Sequence, residues 1–404
     1  MLSFPVVRWV ALFWGFATFF PIGLNYTAFV LLAVALLVQG GWRQRLARLR
    51  QSPNWWPAWF FLGWTALVLA LGPHYPETAS NAFHALRIVL TLALVLALSR
   101  DEALWAMRGF VMWLTASLVL IALHKTIGLP PSKLWESTVT YGGNKSLANA
   151  LLMALAAVSG LLLMPVLSAR QRGVMTLLTL GSVAALLWVL YSRTAWLIVL
   201  VCLVVGLAHQ LRRRRQHQLL ALVGAAALAL AAGMFVPAVK DRLVLGAHEV
   251  VNAYEGQAVN MTSSWGIRFR MYSETLDMIG QRPLTGWGIG GWSTEWKRRV
   301  QGPLASVNMP HNDFLWMGAQ TGVPGAIALF LMVAAGLPAA WRRHDKRGRM
   351  AVVALLAMLM AMATNSALRD AAIGLTLWFI VLVYQRLSTE AEPVWPDVLP
   401  DVRA

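Results

Sequence analysis

Long apolar blocks separated by short polar stretches recur along most of the chain, near residues 6–20, 22–39, 55–71, 83–99, 103–122, 146–165, 173–190, 194–209, 217–236, 312–339, 348–364 and 370–387. Crossing a bilayer as a helix takes about 20 mostly apolar residues, so the pattern predicts an all-α polytopic membrane protein with about twelve transmembrane helices. Strands of a membrane barrel would alternate residue by residue, which these blocks do not. Phe20-Pro21-Ile22-Gly23 parts the first two blocks. Because a helix breaker inside a membrane needs protein around it, a single broken or re-entrant element is the alternative to two spans there.

One polar interruption is long. It divides the chain into a nine-span membrane region over 1–236, an extramembrane loop over 237–311, a three-span region over 312–387, and a tail over 388–404 whose Glu and Pro residues predict disorder. Within the loop, Trp265, Phe269, Tyr272, Leu276 and Ile279 recur at spacings of 4, 3, 4 and 3. They mark one face of an amphipathic helix that should stop at Gly280 and Pro283, with Arg268 and Glu274 off that face. The stretch from Pro283 to Gly291 follows, dense enough in glycine for its backbone to approach a ligand or a neighbouring helix closely. It fits neither a Walker loop nor a dinucleotide fingerprint, since no Lys-Ser/Thr follows the glycines and no strand precedes them.

Composition agrees with the membrane reading: 58% of residues are hydrophobic and 13% charged, against about a quarter charged in a soluble domain. A net charge of +17 is not taken as nucleic-acid binding, because the basic residues of a membrane protein first serve topology. Arg43, Arg45, Arg48 and Arg50, the pair Arg170 and Arg172, the run Arg212 to Arg215, and Arg342, Arg343, Lys346, Arg347 and Arg349 all fall on one side of the counted spans. That side is cytoplasmic by the positive-inside rule. Both termini then lie in the cytoplasm, and 237–311 is periplasmic. No cleavable signal peptide is expected, the only early charge being Arg8. Cys202, the single cysteine, excludes a disulfide framework or a Cys-based metal site within one chain.

The apolar blocks carry few ionisable residues, which weighs against a proton-coupled transporter. Polar groups gather instead on the outer side, among them His74, Glu77, His84, Arg87, Asn144, Lys145, Arg193, Arg369 and Asp370. This points to chemistry at the outer membrane interface. His311, Asn312 and Asp313 stand at the mouth of the tenth block, and Lys297-Arg298-Arg299 before them reads as a surface facing lipid headgroups. Each has a plainer reading. A histidine at a helix mouth commonly bonds at the interface, Arg193 could snorkel to headgroups, and Arg270 could belong to a solvated helix face.

Taken in order, these segments resemble the O-antigen ligase and O-antigen polymerase superfamily, whose signature is a long periplasmic loop with an Arg-bearing amphipathic helix, a Pro-Leu-x-Gly-x-Gly stretch, and His-Asn-x-x-Leu leading into a Gly-x-x-Gly helix. Here they read Ser264 to Arg268, Pro283-Leu284-Thr285-Gly286-Trp287-Gly288, His311-Asn312-Asp313-Phe314-Leu315, and Gly322-Val323-Pro324-Gly325. Tyr191-Ser192-Arg193-Thr194-Ala195 is similar to the family's Ser-Arg-Ser/Thr turn, and Gly143-Asn144-Lys145-Ser146 to its Asn-bearing helix start. The first five blocks carry no matching motif.

The resemblance implies an integral-membrane glycosyltransferase of the bacterial inner membrane. It would carry polysaccharide from an undecaprenyl-pyrophosphate-linked donor to a sugar hydroxyl of the lipid A-core acceptor, with no metal or cofactor. Membrane lipids surround it, and nucleic acid is not a partner. His311 is the expected general base and Arg193 and Arg268 the phosphate ligands. Lys145, Asn144, Arg270, Asn312 and Asp313 are expected around the substrate, Asp313 either orienting His311 or capping the helix. An O-antigen polymerase or a protein O-oligosaccharyltransferase would use the same donor with another acceptor, and a lipid or polysaccharide transporter is the rival from a different class.

Overall fold

The computed structural model describes residues 5–18, 20–211 and 264–390. The ninth expected span, the Arg212 to Arg215 run, the loop from 237 to 263 and the tail from 391 lie outside the described residues. Everything regular among the described residues is helical. The elements are α1 (Val6–Ala17), α2 (Ile22–Gln39), α3 (Trp42–Gln51), α4 (Trp55–Leu71), α5 (Thr78–Leu96), α6 (Arg100–Ile127), the single turn α7 (Glu136–Val139), α8 (Gly143–Leu163), α9 (Ala169–Trp188) and α10 (Arg193–Leu211). Then come α11 (Ser264–Gln281), α12 (Gly291–Arg299), α13 (Asp313–Ala334), α14 (Gly336–Arg342), α15 (Lys346–Thr364), α16 (Ala371–Gly374) and α17 (Leu377–Ser388).

Among the described residues, eight segments are long and apolar enough to cross a membrane: α2, α5, α6, α8, α10, α13 continued by α14, α15, and α16 continued by α17. Eleven of the twelve expected blocks fall among the described residues, and three of them, at α1, α4 and α9, do not meet that length and apolarity. At 1.5 Å per residue, the 12 residues of α1 reach only about 18 Å, short of a hydrocarbon core of about 30 Å. The 17-residue α4 is marginal. The 20-residue α9 opens on Arg170, Gln171 and Arg172, which dilutes its apolar run. Near the N-terminus the chain is broken into two helices, α1 and α2, with Pro21 preceding α2, which fits the broken-element alternative as well as two spans.

The centre of the bundle is α8 and α17. Every residue from Ala148 to Gly160 and from Leu377 to Val383 is buried, as expected of helices that are apolar all round. At one end of the bundle Arg45 makes a two-pronged pair with Glu102, at 2.9 and 2.8 Å, and Arg386 reaches the Leu98 carbonyl at 2.6 Å. The starts of α5, α8, α10, α13 and α16 meet at the opposite end, together with α11 and α12.

The loop helix α11 forms over the expected residues, but its buried face is rotated from the expected one by about one residue. Met271, Thr275 and Met278 are fully buried. Phe269 and Leu276, expected inside, are 52% and 57% exposed. Contact with α12 decides the rotation: the Thr275 hydroxyl accepts a 2.9 Å bond from the Trp292 indole, and Trp292 and Trp296 stack in the same small core. Arg268 therefore lies in line with Met271 and Thr275, at helical spacing, instead of off the packed face. The basic cluster is likewise not a bare headgroup surface. Arg299 pairs with Asp277 at 2.5 Å and with the Gln281 side chain, Arg298 pairs with Glu295, and Lys297 lies 3.9 Å from Glu77.

The two glycine motifs fit each other. Gly322 takes φ 73° inside α13 and breaks its ladder, with Pro324 supplying no N–H two residues on. The carbonyls freed at Ala319, Gln320 and Thr321 accept bonds from Trp287 N–H (2.8 Å), Gly288 N–H (3.0 Å) and the Trp64 indole (2.7 Å). The Val323 N–H donates to the Pro283 carbonyl at 2.8 Å. The Pro283 to Gly291 stretch is thus a docking surface for a broken helix, which is why it tolerates no side chain at Gly286, where a β-carbon would stand 2.5 Å from the Gln320 backbone.

Candidate active site

At the end of the bundle where those helices start, a short connection between α15 and α16 gathers partners from five directions. The Ala363 carbonyl accepts from the Asn312 amide (2.9 Å) and the Tyr272 hydroxyl (3.2 Å). The side chain of Asn365 reaches the Thr194 hydroxyl at 3.4 Å. Asp313 accepts from the backbone N–H of Leu368 (2.7 Å) and of Arg369 (3.0 Å). Arg87, buried in α5, donates to the carbonyls of the same two residues at 2.6 and 2.9 Å and to the Tyr26 hydroxyl at 3.0 Å. Asp370 caps α16 with one oxygen and takes a bond from the Asn144 amide with the other.

His311 faces this connection. It is the only residue other than glycine with positive φ among the described residues, at 52°, a region His tolerates better than most side chains. Its carbonyl lies 3.0 Å from the Tyr272 hydroxyl, whose single proton it shares with the Ala363 carbonyl. Asn312 follows as the cap of α13, its side-chain oxygen accepting from Phe314 and Leu315 N–H. Burial pushes the His311 imidazole down to about 4, helped by the nearby Arg268 and Arg369 guanidiniums and opposed by Asp370. The imidazole is therefore neutral at ordinary pH and able to accept a proton.

Of the residues singled out in the sequence, His311, Arg268, Asn312, Asn144 and Lys145 are brought to this one end. The Lys145 ammonium donates to the Thr18 carbonyl. Arg193 opens α10, whose first turn is capped by Ser192, its hydroxyl accepting from Ala195 N–H at 3.2 Å. Two residues after Arg268, Arg270 points away from it around the helix, about 200° on. Asp313 does not cap its helix: Asn312 does, and Asp313 is fully buried on the 368–369 backbone. Arg369, Asp370, Tyr272 and Arg87 belong to the cluster and were given no role from the sequence. Arg87 carried a usable signal, a lone arginine inside an apolar block. Among the described residues no three His, Cys, Asp or Glu side chains gather as metal donors.

A neutral imidazole flanked by guanidiniums suits transfer from an anionic leaving group to a hydroxyl. Residues 177–330 match the family model described as O-Antigen ligase. The matched region is similar to the O-antigen ligase family. It spans α9 to most of α13 and so includes Arg193, Arg268 and His311. The connection over 363–370 and the helices before α9 lie outside it. No curated protein matches the chain.

Proposed function

We propose that the protein is an O-antigen ligase that transfers polysaccharide from undecaprenyl pyrophosphate to a sugar hydroxyl of lipid A-core, at the periplasmic face of the bacterial inner membrane. The carrying observation is the placement of a neutral His311 beside Arg268 and Arg369 at one end of the bundle. In the reaction the acceptor oxygen attacks the anomeric carbon, the bond from that carbon to the phosphate oxygen breaks, and the lipid pyrophosphate leaves with the bonding electrons. The acceptor hydroxyl gives its proton to His311.

Charge grows on the leaving oxygen as that bond breaks. Planar guanidinium donors match phosphate oxygens two at a time, a role we assign to Arg268 and Arg193. A cation in the first turn of a helix opposes the helix dipole, and a phosphate beside Arg193 at the start of α10 would relieve that opposition. Lys145, Asn144 and Arg270 border the donor, while Asn312 and Asp313 fix His311 and the 368–369 backbone. The four-part division of the chain read from its hydropathy, with 237–311 periplasmic and both termini cytoplasmic, is part of this proposal.

The test presents purified lipid-linked glycan to the full-length protein with lipid A-core, free repeat units and an acceptor protein side by side. Transfer to lipid A-core alone is expected, and it should survive EDTA when the acceptor has been washed free of bound cations. Chain growth on free repeats would make the protein a polymerase. Glycan appearing across a vesicle membrane without transfer would make it a transporter.

A further inference from the structure

We infer that Arg369 is a further phosphate ligand of the donor site, and that Asp313 and Arg87 are the positioning pair that holds it there. This rests on the proposed function and adds to it a residue outside the matched family region.

The backbone around Arg369 is fixed from both sides by buried charges. Asp313, 0% exposed, takes the N–H groups of Leu368 and Arg369, and Arg87, 1% exposed, gives to their carbonyls. Taking a carboxylate and a guanidinium out of water is costly unless their hydrogen bonds are well made. Here those bonds go to the backbone groups of two consecutive residues of a short connection. A device of that cost makes sense if the connection carries something whose position matters.

What it carries is the Arg369 side chain. A guanidinium has five N–H donors, yet that of Arg369 makes only long contacts, 3.5 Å from Nη1 to the Asn308 side-chain oxygen and 3.7 Å to the Met309 sulfur. Its Nε is buried and bonds nothing. Among the described residues no carboxylate pairs with it. The adjacent Asp370 is committed to the α16 cap and to Asn144. The desolvated, underused guanidinium lies close enough to His311 to depress its imidazole. An oxyanion at the base would fill its empty donors and offset the charge that Arg268 and Arg369 together bring to this corner. The chemistry that fits is a phosphate of the leaving pyrophosphate.

The experiment measures binding of glycan-free undecaprenyl pyrophosphate to the full-length protein in detergent, and donor KM and kcat in the transfer assay. Arg369→Gln should weaken binding and raise donor KM by roughly 10- to 100-fold, the usual worth of charged hydrogen bonds to phosphate, with Arg369→Lys in between and the melting temperature unchanged. Asp313→Asn should show the same KM signature and add little to it in an Arg369→Gln background, because a positioning residue acts through the one it positions. A purely structural Asp313 predicts additive losses. Unchanged binding and KM in Arg369→Gln, with Arg268→Gln impaired, overturns this inference and leaves the proposed function standing. Wild-type protein that neither binds undecaprenyl pyrophosphate nor transfers glycan removes both. Should Arg369→Gln fail to fold, full binding by a folded Arg369→Lys still counts against the planar phosphate contact.

Discussion

The hydroxyl of Tyr272 donates to the carbonyl of His311 at 3.0 Å, tying the loop helix to the candidate base through its backbone. His311 sits at φ 52°, a conformation that persists only when surrounding contacts hold it. Tyr272→Phe removes the hydroxyl and keeps the ring. Turnover is expected to fall about tenfold while undecaprenyl pyrophosphate binding stays normal, since the bond orients the base and does not touch the donor. Equal losses in binding and turnover would show that Tyr272 supports the whole loop and not His311 in particular.

Gly322 is the strictest steric position in the docking of the two glycine motifs. A β-carbon there would stand 2.2 Å from the Leu284 carbonyl oxygen, at φ 73°. Gly322→Ala should cost several kcal/mol, combining backbone strain with a main-chain clash. It should lower the melting temperature and reduce activity in proportion. Gly280→Ala, where nothing lies within 4 Å, is the matched control and should be neutral. A stable Gly322→Ala protein would mean that the kink can straighten.

How far the sequence revealed this arrangement can be read from α11 and from the 363–370 connection. Helical periodicity located α11 and its end, because Gly280 and Pro283 punctuate it clearly. It mistook the buried face because aromatic and leucine positions outweigh Met271 and Thr275 on any hydrophobicity count, whereas packing against Trp292 and Trp296 decides the matter. The His311 motif is contiguous and could be found in one dimension. Arg369 shows in the sequence only as one of many outer-side polar residues: the hold of Asp313 and Arg87 on its backbone joins residues far apart in sequence that meet only in the fold. Apolar patterning likewise did not reveal that α1 is only 12 residues long.

On topology, single cysteines introduced after replacing Cys202 should be labelled from opposite sides of the membrane. Positions 270 and 308 are expected to react from the periplasm, and 43 and 346 from the cytoplasm. Labelling of 270 and 346 from the same side would place the candidate site in the wrong compartment for a lipid A-core acceptor.

Arg193→Lys and Arg268→Lys keep the charge and lose the planar fork. Each should lower transfer at limiting donor by at least tenfold, roughly the value of a charged hydrogen bond. Arg270→Lys, on the other side of α11 from Arg268, should stay within a few-fold of wild type. Near-normal transfer by both of the first two variants would mean that these side chains only attract the donor at long range.

The pH profile tests the base assignment. Burial, Arg268 and Arg369 hold the free imidazole of His311 at about 4, against an ordinary value of 6.5, with Asp370 pulling the other way. If the neutral ring is the active form, kcat/KM, which reports the free enzyme, should hold as pH falls through 6.5 and decline only toward about 4. Bound pyrophosphate adds negative charge beside the ring and stabilises its protonated form. The acid limb of kcat should therefore lie at higher pH than that of kcat/KM. Arg369→Gln removes a positive neighbour and should move the kcat/KM limb upward in the same direction. His311→Ala should lower kcat by roughly 10²–10⁴-fold with donor binding intact, and His311→Gln should not restore it, because an amide can bond the acceptor hydroxyl but cannot take its proton. An acid limb at 6.5 that ignores Arg369, or a His311→Gln enzyme near full rate, would leave His311 as a residue that positions the acceptor and would require another base.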